Sequence, residues 1–329
     1  MPNPRIGSIS PPHTIAGGRI AIHGSDCLVD GLVPEVRVGS GVARVVFASP
    51  TQLDVIVSTA ESGHVPVRIA GADADADASV VVGAPVATGL HQVDSPVFDT
   101  AGNLYLTYSG TRGQQVPVSI FRVAPGGARE SFSSSVPNPT SMALSPDGVL
   151  YVSNRFEGAV YRLAEDGSAE AFASDLGIAC GLAFAPDGHL FVGDRSGTIF
   201  EVTRQGKTRV FATLPASVAA FHLAIGADGL YVTGPTLSAR DVVYCITFAG
   251  EVAVRHSGFG RPQGIAFSPD GVLHVVEALA GASGLYRVRD GCRPELLVGG
   301  PRLVGLAFRP DGGMLLCSSD TAYQFPPVG

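Results

Sequence analysis

One turn returns six times along the C-terminal three quarters of this chain: Asp99-Thr100-Ala101-Gly102, Pro146-Asp147-Gly148, Pro186-Asp187-Gly188, Ala227-Asp228-Gly229, Pro269-Asp270-Gly271 and Pro310-Asp311-Gly312. Its glycines stand 46, 40, 41, 42 and 41 residues apart. An apolar run precedes each turn, as in Gly181-Leu182-Ala183-Phe184, a second follows, as in Leu190-Phe191-Val192, and a third comes later, as in Val160-Tyr161-Arg162. Proline presets φ and glycine supplies a positive φ, so each turn closes a hairpin. Repeats of about 40 residues with four strands each are propeller blades, and six of them predict a six-bladed β-propeller. A solenoid shares the periodicity but needs capping repeats. Here the last repeat holds three strands before Pro326, and Ser79-Val80-Val81-Val82 or Pro85-Val86-Ala87 is expected to supply the fourth and close the ring.

The stretch Gly71-Ala72-Asp73-Ala74-Asp75-Ala76-Asp77-Ala78 is acidic and without bulky side chains, and reads as an exposed loop near a domain boundary. Ahead of it, β-rich runs such as Arg19-Ile20-Ala21-Ile22-His23-Gly24 and Val42-Ala43-Arg44-Val45-Val46-Phe47 alternate with Gly, Pro and Ser turns. The fold class is therefore all-β, an N-terminal immunoglobulin-like β-sandwich over residues 1–83 followed by a six-bladed β-propeller over residues 84–329. Ile6-Gly7-Ser8-Ile9-Ser10-Pro11, Gly17-Gly18, Val36-Arg37-Val38-Gly39 and Ser49-Pro50-Thr51-Gln52-Leu53 occur in the register of the IPT/TIG domains, which this segment resembles. The resemblance implies a module that orients or tethers its neighbour and that offers a surface to a protein partner.

Composition narrows the function. Charged residues are 16% of the chain against about 25% in typical domains, and the net charge is -7, so the clustered positive charge of a nucleic-acid partner is missing. No apolar run approaches the roughly 20 residues of a membrane span, and the N-terminus leads into no signal-peptide core. As written, a cytoplasmic location is expected, periplasmic or extracellular if a leader has been removed. The five cysteines, Cys27, Cys180, Cys245, Cys292 and Cys317, form no CxxC pair, which excludes a zinc cluster of that type.

A propeller gathers the openings of its inner strands and the ends of its second strands on one face. The openings are Asp94, Thr140, Cys180, Phe221, Gln263 and Val304; the second-strand ends bring Asn154 with Arg155, Asp194 with Arg195, and Glu277. His222 follows Phe221 and is the natural acid or base, with Asp194 or Glu277 to orient it and Arg155 or Arg195 to stabilise an oxyanion. Thr140, Asn154, Arg155, Arg195 and Gln263 are the expected substrate contacts. Each has a plainer reading: an Asp or Asn after a strand bonds turn amides, a channel histidine bonds a carbonyl, and Cys180 is an inert buried thiol.

Arg261-Pro262-Gln263-Gly264-Ile265-Ala266-Phe267-Ser268-Pro269-Asp270-Gly271 resembles the repeats of NHL-type propellers and of the gluconolactonase and senescence-marker family. That resemblance implies a lactonase-like hydrolase or lyase acting on a sugar-like or lactone substrate, with Ca²⁺ or another divalent cation on Asp94. Phe221 and Gln263 stand where the family places an amide and an acidic ligand. The other class of function open to such a chain is a non-catalytic carbohydrate- or protein-binding propeller.

Overall fold

The computed structural model describes residues 3–72, 78–111 and 113–326. Among the described residues it is all-β, without a helix, in 32 strands. The expected loop over residues 71–78 falls partly on 73–77, outside the described residues.

Five antiparallel four-stranded sheets stand alone. In chain order, the first contains Val97–Phe98, Leu104–Thr107, Ile120–Val123 and Arg129–Ser133; the second Pro139–Leu144, Leu150–Asn154, Ala159–Leu163 and Ala169–Ala173. The third contains Ala179–Phe184, Leu190–Asp194, Thr198–Val202 and Thr208–Thr213; the fourth His222–Ile225, Gly229–Thr233, Asp241–Thr247 and Val252–Phe259. The closing sheet contains Leu303–Phe308, Met314–Ser318 and Thr321–Phe325, and its outer strand is Ala84–Thr88. Of the two segments expected to supply that strand, the one containing Pro85-Val86-Ala87 does so, because Ser79–Val82 is already paired inside the sandwich.

The expectation of six separate blades is corrected to five. The strands Pro262–Phe267, Leu273–Glu277, Gly284–Val288 and Glu295–Gly299 form one end of a twelve-stranded sheet whose other end is the N-terminal module. The joint is the strand His13–Thr14, which runs parallel to Glu295–Gly299 on one side and to Ser79–Val82 on the other. Thr14 Oγ1 donates to the Gly299 carbonyl at 2.9 Å, and the Ile15 amide donates to the same oxygen at 3.1 Å. Ile15 and Val81 share an apolar cluster with Val298, Leu316 and Phe325, so packing continues across the domain boundary. Each fully buried aliphatic chain of this kind contributes about 1.5–3 kcal/mol.

The repeated turn behaves as its chemistry requires. Gly148, Gly188, Gly271 and Gly312 have φ of 82, 85, 79 and 81°, and their amides donate back to Ser145, Ala185, Ser268 and Arg309 at 2.8–2.9 Å. The fourth copy differs. Without its proline, Ala227-Asp228-Gly229 makes a tighter connection in which the Gly226 amide donates to the Gly229 carbonyl at 2.9 Å, and Gly229 opens the next strand. Second strands such as Leu190–Asp194 and Leu273–Glu277 are buried along their whole length, because neighbouring sheets cover both faces. Outer strands such as Thr208–Thr213 are mostly exposed.

Inner strands meet around the axis at small residues. A Cβ on Gly264 would stand 2.6 Å from the Cα of Gly305, and one on Gly305 would stand 2.6 Å from the Cα of Ser95. A larger residue at either position would push two inner strands apart. The same ring position in the fourth sheet is His222, whose side chain therefore enters the space that glycine and serine leave open.

Candidate functional site

His222 opens its strand opposite Thr233 and follows Phe221, a fully buried ring. Gly193 and Gly234 make room for that side chain: a Cβ on Gly193 would lie 2.9 Å from Phe221 Cβ, and one on Gly234 2.7 Å from Phe221 Cδ1. Phe221 is thus a core residue that fixes the direction of the next side chain. On the other side of the axis, Asp94 precedes Val97–Phe98. The Gln92 amide group donates to the Asp94 carbonyl at 2.7 Å, and Gln92 Oε1 in turn accepts from the Thr107 amide at 2.8 Å.

These two supports bring together groups 128 residues apart. His222 Nδ1 lies 2.5 Å from Asp94 Oδ1, which also accepts from the Ser95 amide at 2.6 Å. His222 is 1% exposed and Asp94 4%. A carboxylate can only accept, so the nitrogen facing it carries the ring proton and Nε2 of the neutral imidazole is left with a lone pair. Nε2 is buried and has no hydrogen-bond partner among the described residues.

The other expected residues sit elsewhere. The structure places neither Asp194 nor Glu277 against His222. Glu277, 3% exposed, accepts from the amides of Gly260, Arg261 and Leu279 at 2.6, 2.8 and 2.7 Å. Asp194 accepts from the Ile178 amide at 2.8 Å and from the amide and hydroxyl of Ser196. Asn154 Oδ1 accepts from the Phe156 and Glu157 amides at 2.8 and 3.1 Å. The register explains the likeness: Asn154, Asp194 and Glu277 stand opposite Pro139, Ala179 and Pro262, three equivalent corners. Each corner needs an acceptor for the amides of a turning backbone.

Arg195 is exposed and reaches to the next loop, its Nη2 donating to the Val218 carbonyl at 2.8 Å. Arg155 is half-buried and donates to the Gly110 carbonyl at 3.3 Å. Its charge, after burial, helps hold the His91 imidazole below its ordinary range. Thr140 is buried, with its hydroxyl 3.4 Å from the Asn138 carbonyl. Gln263 is half-buried and accepts from Thr233 through its backbone carbonyl at 2.5 Å. Burial, and then the charge of Asp94, push the Cys180 thiol up to about 12, so it is not a thiolate nucleophile at neutral pH.

The residues present do not fit the divalent cation implied by the lactonase resemblance. Asp94 Oδ1 is engaged by His222 and Ser95, the Phe221 position offers no oxygen, and among the described residues no three His, Cys, Asp or Glu side chains are grouped to hold a metal. Sequence reasoning passed over His91 and Gln92. His91 packs edge-on to Tyr108 with ring centroids 6.2 Å apart beside this site, and Gln92 is the strut behind Asp94. Neither belongs to a motif: Gln92 bonds Asp94 and Thr107, and His91 meets Tyr108, through short-range contacts that no repeated pattern marks.

Comparison with known proteins adds the fold context. The IPT/TIG domain family matches residues 4–82. No curated protein matches the sequence. Among solved structures, a gluconolactonase-like protein is 15% identical with a TM-score of 0.60, over 74% of this chain and 90% of that one. A catalytically inactive variant of virginiamycin B lyase from Staphylococcus aureus, with one histidine replaced by alanine and quinupristin present, is 13% identical with a TM-score of 0.53, over 98% and 94%. An auxiliary nutrient binding protein from Bacteroides ovatus is 13% identical with a TM-score of 0.52, over 99% of each chain. In fold, then, this chain is similar to β-propellers of diverse activity and carries an IPT/TIG domain at its N-terminus.

Proposed function

We propose that the chain is an acid–base enzyme working at the propeller axis on a small polar molecule, by lyase-like elimination or lactone opening. The observation that carries this reading is the buried Asp94–His222 pair whose outer nitrogen has no partner among the described residues. Leaving a buried polar atom unbonded costs about 1–3 kcal/mol, a cost that a substrate atom or a relayed water at Nε2 would offset. His222 takes or returns the proton, Asp94 orients the ring and stabilises its charged form, and Arg155 supplies positive charge nearby. Asp194, Glu277 and Asn154 hold the frame. At 1% exposure, His222 admits only a slender extremity of the substrate or one water. A metal-free imidazole base suits abstraction of an acidic proton better than metal-assisted attack by hydroxide. The inactivity of the lyase variant that lacks a histidine supports this choice by analogy alone.

The test is turnover of a panel of sugar lactones and of quinupristin by the full chain. His222→Ala is expected to lower kcat/KM by about 10³-fold, with unchanged unfolding temperature, as loss of a general base does. If wild type and variant turn over every substrate equally, the proposal fails. A second reading, a nutrient-binding propeller, draws support from the end-to-end match to such a protein and predicts glycan binding that His222→Ala leaves intact.

A further inference from the structure

The joints between neighbouring sheets on the face of the repeated turns follow one pattern. The last residue of each inner strand is Phe98, Leu144, Phe184, Ile225, Phe267 or Phe308, paired with Leu104, Leu150, Leu190, Leu230, Leu273 or Met314. At the joint of the second and third sheets a three-ring edge-to-face cluster is complete: Tyr151 meets Phe172 of its own sheet and Phe184 of the next, both at 4.9 Å. At the joint of the third and fourth sheets the cluster is one ring short. Phe191 meets Phe211 at 4.8 Å, but the next sheet offers Ile225.

A cleft of about 340 Å³ opens there, with Phe191, Phe211 and Phe248 in its wall. Its polar edge is one connected set: His189 Nδ1 meets Glu201, whose other oxygen pairs with Arg209, and the Arg209 guanidinium lies 5.8 Å from the Phe211 ring. Glu201 is 6% exposed, whereas the His189 side chain is 36% exposed and lines the cleft. Phe248 is 48% exposed, so its ring is accessible at the cleft.

The first joint is also one ring short, with Tyr105 and Phe132 facing Leu144. There the gap of about 850 Å³ is lined by Asp99, Asp147, Glu165, Glu170, Arg122 and Arg162, a charged and wet surface. Of these two joints, the one beside Phe191 has the more apolar walls.

We propose that this cleft binds a small aromatic molecule with a hydrogen-bonding substituent, its ring completing the Phe211–Phe191 cluster and its substituent meeting His189. The volume lies at the lower end for small-molecule sites, and aromatic walls with a few polar groups at one edge are their usual make-up. Glu201 fixes the imidazole, so the edge is ordered before a ligand arrives.

Phenol is the probe, titrated into the full chain and followed by ¹H–¹³C NMR of the aromatic side chains. Saturable shifts are expected at Phe191, Phe211, Phe248 and His189, with cyclohexanol weaker because an aliphatic ring cannot stack. Ile225→Phe supplies the missing ring and is expected to weaken phenol binding about tenfold, the scale of one ring contact. Ile225 shares a strand with His222, so Phe248→Ala, on a separate turn, is the second variant and should also weaken phenol. Shifts that do not saturate, or phenol affinity unchanged in whichever of the two variants folds, would overturn the site. Neither result bears on turnover at His222, which is scored separately.

Discussion

Asp94 and Glu277 are carboxylates of nearly equal burial at the openings and ends of strands on one face, yet they do different work. Glu277 spends both oxygens on three backbone amides. Asp94 gives one oxygen to a single amide and to an imidazole across the axis. A carboxylate satisfied by backbone holds a turn in shape, whereas one facing a titratable side chain can set that side chain's proton. Residue type and burial do not separate the two cases; the partner does.

The largest effect expected from breaking this contrast is on stability. Glu277→Ala leaves one buried and two part-buried amides without an acceptor and should cost about 3 kcal/mol in chemical unfolding, while Asp94→Asn costs less than about 1 kcal/mol. Equal losses would make Asp94 a frame residue too, and the proposed chemistry would lose its support.

An effect of similar size should appear on acidification. Burial pulls the His274 imidazole down to about 4, against the raising effect of the Val272 carbonyl. The folded chain thus resists a proton that the unfolded chain accepts near pH 6.5, so this contribution is complete above that pH and is lost as pH falls toward 4. The loss is about 3 kcal/mol for a shift of this size. His274→Phe keeps the contact with Phe308 and should flatten the pH profile of unfolding; an unchanged slope would assign the acid sensitivity elsewhere.

The smallest effect concerns the domain joint. Thr14→Val removes the hydroxyl bond to Gly299 and should cost about 1 kcal/mol while leaving one cooperative calorimetric transition. Two separate transitions in the native protein would mean that the sandwich and propeller fold independently.

Much of the architecture was legible because it is local. Pro-Asp-Gly encodes a turn within four residues, and four of the six copies adopt it with the expected glycine φ together with the expected proline. The fourth copy lacked the proline and took another shape. The fusion of the strands from Pro262 to Gly299 with the sandwich was not legible, because the two-residue strand His13–Thr14 carries no periodicity. The site divides the same way. His222 and Asp94 each stood out as polar groups at strand openings, but their pairing depends on how far an imidazole reaches across a closed ring. Asp194 and Glu277, rather than Asp94, were expected to orient His222 because the corners that use them lie on the same face.

The strand His13–Thr14 also has a mechanical meaning. Hydrogen bonds on both of its edges leave no slack between the modules, so a torque applied to the sandwich passes directly into the Glu295–Gly299 ribbon and the propeller turns with it. Whatever surface the sandwich rests on, the mouth of the ring keeps a constant bearing toward it.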